Sequence, residues 1–428
     1  MADRSLVLTG GTVVDATGSR PADVVVVDGR IAAVGPDLDG DRVLDAGGCV
    51  VAPGLVDLHA HLRQPGKEEA ETIETGSRCA VLGGFTAVVA MPNTTPTMDS
   101  VAVVREVAAL GRTALCAVHP SAAITVDRAG DTLTPMADLA DLGVRLFTDD
   151  GTGVQDGELM RRAMEVAVGL PHDVVLAQHC EDAVLAAGGA MHEGEWSARL
   201  GLTGQPHTAE EAMVARDIAL ATHTGARVHM QHMSTAGSVA LIARARADGL
   251  AISAEATPHH MLLTHAEVAS LDPVFKVNPP LRTEEDVAAV RAGVVDATLD
   301  VIATDHAPHT PAAKALPFPE APPGMLGLEF ALGVALAVLD LPLAEVLARL
   351  SWRPAAVAGL TDTQGGPVAV GRPANLCVID PTAEWTVAAG ATASLSRNIP
   401  YVGRTLRGRV RHTVVAGEPV VVDGSAQR

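Results

Sequence analysis

The stretch VVAPGLVDLHAHLRQPG, residues 50–66, sets two histidines one residue apart directly behind an apolar run. The run is rich in Val and punctuated by Pro53 and Gly54, which reads as a buried strand. Side chains two apart on a strand point to the same side. His59 and His61 therefore project together from the strand's C-terminal end, an arrangement suited to a divalent metal such as zinc. Arg63 follows two residues later on the same side. A lone HxH among 16 histidines decides little, so the rest of the chain must.

The chain has 428 residues and no internal repeat, long enough for one large domain with an accessory piece. At 48% hydrophobic residues it is globular rather than disordered. With five Phe, three Trp and one Tyr, its core must be built from Val, Leu and Ala. A formal net charge of −20 argues against nucleic acid or an anionic membrane as partner. Five scattered cysteines without a CxxC pair fit a reducing cytoplasm, and the N-terminus has no secretory pattern. The most apolar long segment, 328–350, is interrupted by Glu329, Asp340 and Glu345, so it predicts an amphipathic helix pair and not a membrane span.

The first fifty and last sixty residues share a texture of short strands and turns. Between them strands and helices alternate, with strand ends near Arg63, Asn93, Pro120, Asp150, His179, Ser234, His260 and His306, and helices over 156–169, 209–222 and 283–295. This pattern predicts an α/β protein: a (β/α)8 TIM-like barrel over 52–363, with a composite β-sandwich formed by 1–51 and 364–428. A doubly wound open sheet is the rival, but no GxGxxG turn follows the first strand.

Barrels collect function at the C-terminal ends of their strands. There this chain carries ligand-type side chains on five strands: His59 and His61, Asp149 and Asp150, His179, His232, and Asp305 with His306 and His309. Five such ends facing one mouth are hard to ascribe to chance. Strand four offers two acids, and since adjacent residues face opposite sides only one can enter the mouth. None of the chain's three lysines, Lys67, Lys276 and Lys314, falls on that strand.

The motifs PGLVDLHAHLRQPG, AMPNTTP, FTDDG, AQHCED, HMST, EATPHH, FKVNPPLR and ATDHAPHT resemble, in order, those of the amidohydrolase superfamily, and within it the bacterial class I dihydroorotases. The resemblance covers nearly the whole chain. It implies a hydrolase of cyclic amides in pyrimidine biosynthesis, closing carbamoyl aspartate to dihydroorotate and reopening it. It also implies two zinc ions, with His59, His61 and Asp305 on one, His179 and His232 on the other, and Asp150 bridging; Asp149 is the fallback. Many relatives bridge with a carboxylated lysine, which strand four here lacks. A shared hydroxide would attack the ring carbonyl, and Asp305 would move its proton to the departing ring nitrogen.

The same resemblance gives Arg63 a task. With Asn93 and His309, and with His61 beside them, it would hold the substrate's unreactive carboxylate in a fork. Asn278 would meet the pyrimidine amide edge, and the backbone at Pro323 and Gly324 would touch substrate, although the family often has an aromatic residue where Pro323 stands. The plain reading of Arg63 is a rim ion pair with an acid such as Glu68. His259, His260 and Glu181 read as packed or supporting groups, and Cys180 as too buried to be a nucleophile. The segment 310–323, rich in Pro and Ala, reads as a loop over the mouth. The runner-up within this chemistry is a hydantoinase or allantoinase. A second class is a non-catalytic scaffold for aspartate transcarbamoylase. The resemblance leaves room for a homodimer, and for that association even in an active, cytoplasmic enzyme.

Overall fold

The computed structural model describes residues 5–427. Eight short strands recur between helices: Leu55–Ala60, Phe85–Ala90, Ala117–Pro120, Leu146–Thr148, Val175–Gln178, Val228–Met230, Ile252–Ala256 and Val301–Ile302. The first three form one parallel sheet and the last five another. Two parallel bridges, Ala122 to Phe147 and Ala60 to His306, join the two sheets at both edges. Leu55–Ala60 and Phe85–Ala90 are buried at every residue, which is why their sequences run apolar on both faces instead of alternating.

The helices form where periodicity and caps coincide. Gly157–Gly169 buries Leu159, Met160, Ala163, Met164 and Ala167 along one stripe, and the Asp156 carboxylate caps it by accepting from the Leu159 N–H at 2.8 Å. Thr208–Thr224 stops at Gly225, whose φ of 74° only glycine adopts cheaply. Glu284–Val295 begins with a capping box between Thr283 and Asp286. The apolar segment 328–350 holds two short helices, Ala331–Val338 and Leu343–Leu350. Among the described residues no helix is long and apolar enough to cross a membrane.

The terminal segments do meet. Strand Val50–Pro53 pairs antiparallel with Leu376–Thr386 and parallel with Thr12–Asp15, in a seven-stranded sheet built from both ends of the chain. A four-stranded sheet from residues 6–45 shares a buried cluster with it, including Leu8, Val24, Val51, Val378 and Val414. The change of sheet falls at Gly54, because Ala52 and Pro53 still pair with Cys377 and Leu376. Residues 392–398 belong to no strand. They return to the parallel unit, where Ser394 bonds Glu71 and the Asn398 amide donates to the Ala307 carbonyl at 2.9 Å.

Candidate metal centre and substrate pocket

His59 is the last but one residue of the strand Leu55–Ala60, and His61 lies one step past the strand's end with its backbone N–H on the His306 carbonyl at 2.8 Å. Asp150, His179 and His232 stand one or two residues beyond three further strands, and Asp305 three residues beyond the last. These ends converge. Asp305 Oδ1 lies 3.1 Å from His61 Nε2 and 3.5 Å from His59 Nε2. Asp150 Oδ1 lies 3.3 Å from His59 Nε2 and 3.7 Å from both His179 Nδ1 and His232 Nε2, while its Oδ2 is 3.5 Å from His61 Nε2. His179 Nδ1 and His232 Nε2 face each other at 2.9 Å. Arg63, His232 and Asp305 take positive φ angles of 60°, 38° and 43°, rare for non-glycine residues.

The donor set fits divalent metal. Two groups of ligand atoms, one from His59, His61 and Asp150 and one from Asp150, His179 and His232, are each close enough to surround an ion, with Asp150 common to both. His59 Nε2 is fully buried, makes no hydrogen bond, and looks at two carboxylates. Imidazoles with carboxylates suit a borderline cation such as zinc.

Asp149 does not enter the site. Its carboxylate accepts from the Ile124 and Thr125 N–H groups at 2.8 and 3.0 Å and from the Thr125 hydroxyl. Strand alternation thus sends one acid of the pair outward to a loop and the other inward to the histidines.

Behind the histidines stands a residue that the sequence reading left without a role. Glu255 Oε1 accepts from His59 Nδ1 at 2.8 Å and from the His232 N–H at 3.1 Å, and its Oε2 accepts from His229 Nε2 at 3.0 Å. Burial pushes this carboxyl up, but His59 and His229 more than reverse it and hold it at about 2. Burial likewise raises Asp305 and Asp150, and the surrounding histidines bring both below the ordinary carboxylate range. An acid on a buried strand, as Glu255 is, was the available signal.

One cavity of about 220 Å³ holds both halves of the expected site. His61, Arg63, Asn93, Asp150, His179 and His232 line it together with Asn278, Asp305, His309, Pro323 and Gly324. Asn93 spans the metal ligands: its Oδ1 accepts from His61 Nδ1 at 2.8 Å and its Nδ2 donates to Asp150 Oδ2 at 3.0 Å. Arg63 makes no ion pair with Glu68; its Nε donates to the Pro308 carbonyl at 3.0 Å, and burial lowers the guanidinium to about 10, still charged at neutral pH. His309 Nε2 donates to the Pro323 carbonyl at 2.8 Å, and burial with Arg63 and Lys314 nearby lowers this imidazole to about 3. Asn278 Nδ2 lies 3.3 Å from His179 Nε2.

The remaining polar groups sit outside the cavity lining. His260 bonds Thr257 and the Pro279 carbonyl, and His259 is fully buried beside it. Glu181 is 3.7 Å from His179 Nε2 and accepts from Gln205. Cys180 is buried against Gln178 and Met230, and burial raises its thiol.

Residues 48–238 match the family described as "Dihydro-orotase-like". Over 94% of this chain and 95% of the relative, the sequence is 48% identical to a dihydroorotase of Mycobacterium tuberculosis. It is 47% identical to one of Pelotomaculum thermopropionicum over 98% and 99%. Among solved structures, the fold matches an L-hydantoinase (dihydropyrimidinase) from Arthrobacter aurescens with a TM-score of 0.88 at 23% identity, covering 99% and 98% of the two chains. A dihydropyrimidinase from Brevibacillus agri gives 0.87 at 21% identity, covering 99% and 96%. The fold is therefore that of the amidohydrolases. Identity near one half along almost the entire length places the chain in the dihydroorotase family.

Proposed function

We propose that this protein is a dihydroorotase, opening L-dihydroorotate and closing N-carbamoyl-L-aspartate in pyrimidine biosynthesis. The observation that carries this reading is Arg63, charged and buried, in the same small cavity as the histidine and aspartate cluster. A cyclic amide with an unreactive carboxylate fits such a pairing; hydantoin and allantoin have no carboxylate for the guanidinium to hold.

His59, His61 and Asp305 would hold one zinc, His179 and His232 a second, with Asp150 between them. Bound there, the ions would supply a water of lowered pKa and a polarised ring carbonyl. The chain does the rest. Arg63 and the free N–H of the Asn93 amide fix the carboxylate, with His309 at the edge of the same recess. Asn278 and the Pro323–Gly324 backbone flank the ring. Asp305 Oδ1 faces the histidines, leaving Oδ2 to take a proton from the attacking water and deliver it to the departing ring nitrogen. In ring closure the same atom returns the proton.

The eight parallel strands read as a closed (β/α)8 barrel, the two edge bridges supporting closure, and the two terminal sheets as its accessory sandwich. Five free, buried cysteines support a reducing, cytoplasmic setting.

The test is turnover of L-dihydroorotate by zinc-loaded protein beside hydantoin and allantoin. Selective opening of dihydroorotate is expected. Preference for either of the others would leave the metal centre standing and remove the substrate assignment. No turnover of the three with metal bound would favour the scaffold.

A further inference from the structure

Two stretches bring four of the expected substrate contacts to the cavity. Segment 272–278 carries Asn278, and segment 309–324 carries His309, Pro323 and Gly324. The second is a strap with a single helical turn, Pro311–Lys314, and little other regular structure. A strap of this composition has few backbone bonds of its own, so its position must come from elsewhere.

Two of the chain's three lysines lie on these stretches, and each reaches across to the other. Lys314 Nζ donates to the Pro273 carbonyl at 2.8 Å and to the Lys276 carbonyl at 3.2 Å. Lys276 Nζ donates in return to the Pro319 carbonyl at 2.8 Å. Its ammonium lies 5.8 Å from the centre of the Phe318 ring, which is itself buried. The Gly324 N–H adds a fourth cross-link, to the Lys276 carbonyl at 2.9 Å.

These are unusual partners for lysine. Among the described residues neither ammonium is within ion-pair distance of a carboxylate; both are spent on backbone oxygens. Lys314 meets the carbonyls of the first residue of the 3-10 turn Pro273–Phe275 and of the residue that follows it. Desolvation of an ammonium is tolerated only where such bonds replace water. Burial, with Lys276 nearby, lowers Lys314 to about 7, and burial also lowers Lys276, in keeping with two amines placed for geometry rather than for charge neutralisation.

We propose that Lys314 and Lys276 are positioning residues, lacing the two stretches together and so setting the distance between Asn278 and the His309–Gly324 edge of the substrate cavity. This rests on the dihydroorotase reading for the substrate, though not for the lacing. Neither lysine lines the cavity, so neither touches substrate. Their contribution falls on binding: a loosened strap leaves the chemistry of Asp305 intact and the ring poorly held.

The experiment compares Lys314→Met, which keeps length and loses donors, with Lys314→Arg, which keeps donors. Hydrogen–deuterium exchange is read on 272–278 and 309–324, and KM and kcat on dihydroorotate. In the Met variant, exchange should rise in both stretches and KM by about tenfold, the scale of losing the two hydrogen bonds Lys314 makes, with kcat little changed. The Arg variant should recover most of both. Lys276→Met should reproduce the effect, and the double variant should cost less than the sum, because the bonds share one task. Unchanged exchange in 272–278 when Lys314 is altered would overturn the lacing. Faster exchange with unchanged KM would overturn the positioning role. If wild-type protein preferred hydantoin, the substrate reading would fail while the exchange result still judged the lacing.

Discussion

Glu255 Oε1 lies 2.8 Å from Nδ1 of His59, and the same carboxylate reaches the backbone of His232 and the ring of His229. One buried acid thus orients a histidine from each half of the histidine–aspartate cluster. It fixes His59 in the tautomer that leaves Nε2 free. In Glu255→Gln one oxygen becomes an NH2 group that faces a donor whichever way the amide turns. Metal affinity should drop about 10–100-fold, as removal of such supporting groups typically does. Competition with a chromophoric zinc chelator measures this directly. Unaltered affinity would mean that Glu255 serves the fold alone.

Arg63 recognises a carboxylate in this scheme, so its loss should be substrate-specific. Arg63→Gln should raise KM for dihydroorotate by about 10–100-fold, the value of a charge-assisted pair of hydrogen bonds. Any slow opening of hydantoin, which has no carboxylate, should be unaffected. Arg63→Lys should restore little, since a point charge on a flexible stem does not reproduce the planar fork. Equal losses on both compounds would show that Arg63 shapes the cavity through its bond to Pro308 instead.

Much of this architecture was legible because parallel strands buried on both faces read as apolar runs, and each run here ends in a residue with chemistry. That logic picks out His59, His61, His179, His232 and Asp305 as candidates, and the family resemblance supplies their expected roles. The choice between Asp149 and Asp150 needed the Thr125 loop, which absorbs the outward-facing acid. The return of Asn398 to the Ala307 carbonyl spans 91 residues, beyond the reach of any local pattern. Glu255 and the two crossing lysines were hidden for another reason. Their roles are set by burial and by partners on other elements, and side-chain type alone reports neither.

Gly54 marks the passage from the terminal sheet to the first parallel strand, and its neighbourhood has no room. A Cβ there would come within 2.1 Å of the Thr86 hydroxyl oxygen, on an adjacent buried strand. Gly54→Ala should therefore destabilise the protein by about 1–3 kcal/mol or more, as overpacking of a closed core does. Gly169→Ala is the control, because a Cβ there meets nothing within 4 Å. Its melting temperature should match or slightly exceed wild type. Equal melting of both variants would show that the junction can open to take a methyl group.

His192 provides the pH test, at a distance in sequence from the metal ligands. Its Nδ1 accepts from Arg282 at 3.2 Å, and burial, with Arg282 and His265, lowers the imidazole to about 4. In the unfolded chain a histidine titrates near 6.5. Between those values the unfolded state binds a proton that the folded state does not, so stability is present above pH ~6.5 and is lost as pH falls toward ~4. His260 and His309, both lowered to about 3 with burial as the largest cause, act in the same direction. Replacing His192 with Gln, which keeps an acceptor for Arg282 but cannot take up the proton, should make the acid-side fall in unfolding free energy shallower without abolishing it. Denaturant titrations at pH 7.5, 6 and 5 on both proteins measure the difference. Parallel slopes would assign the acid sensitivity to other groups.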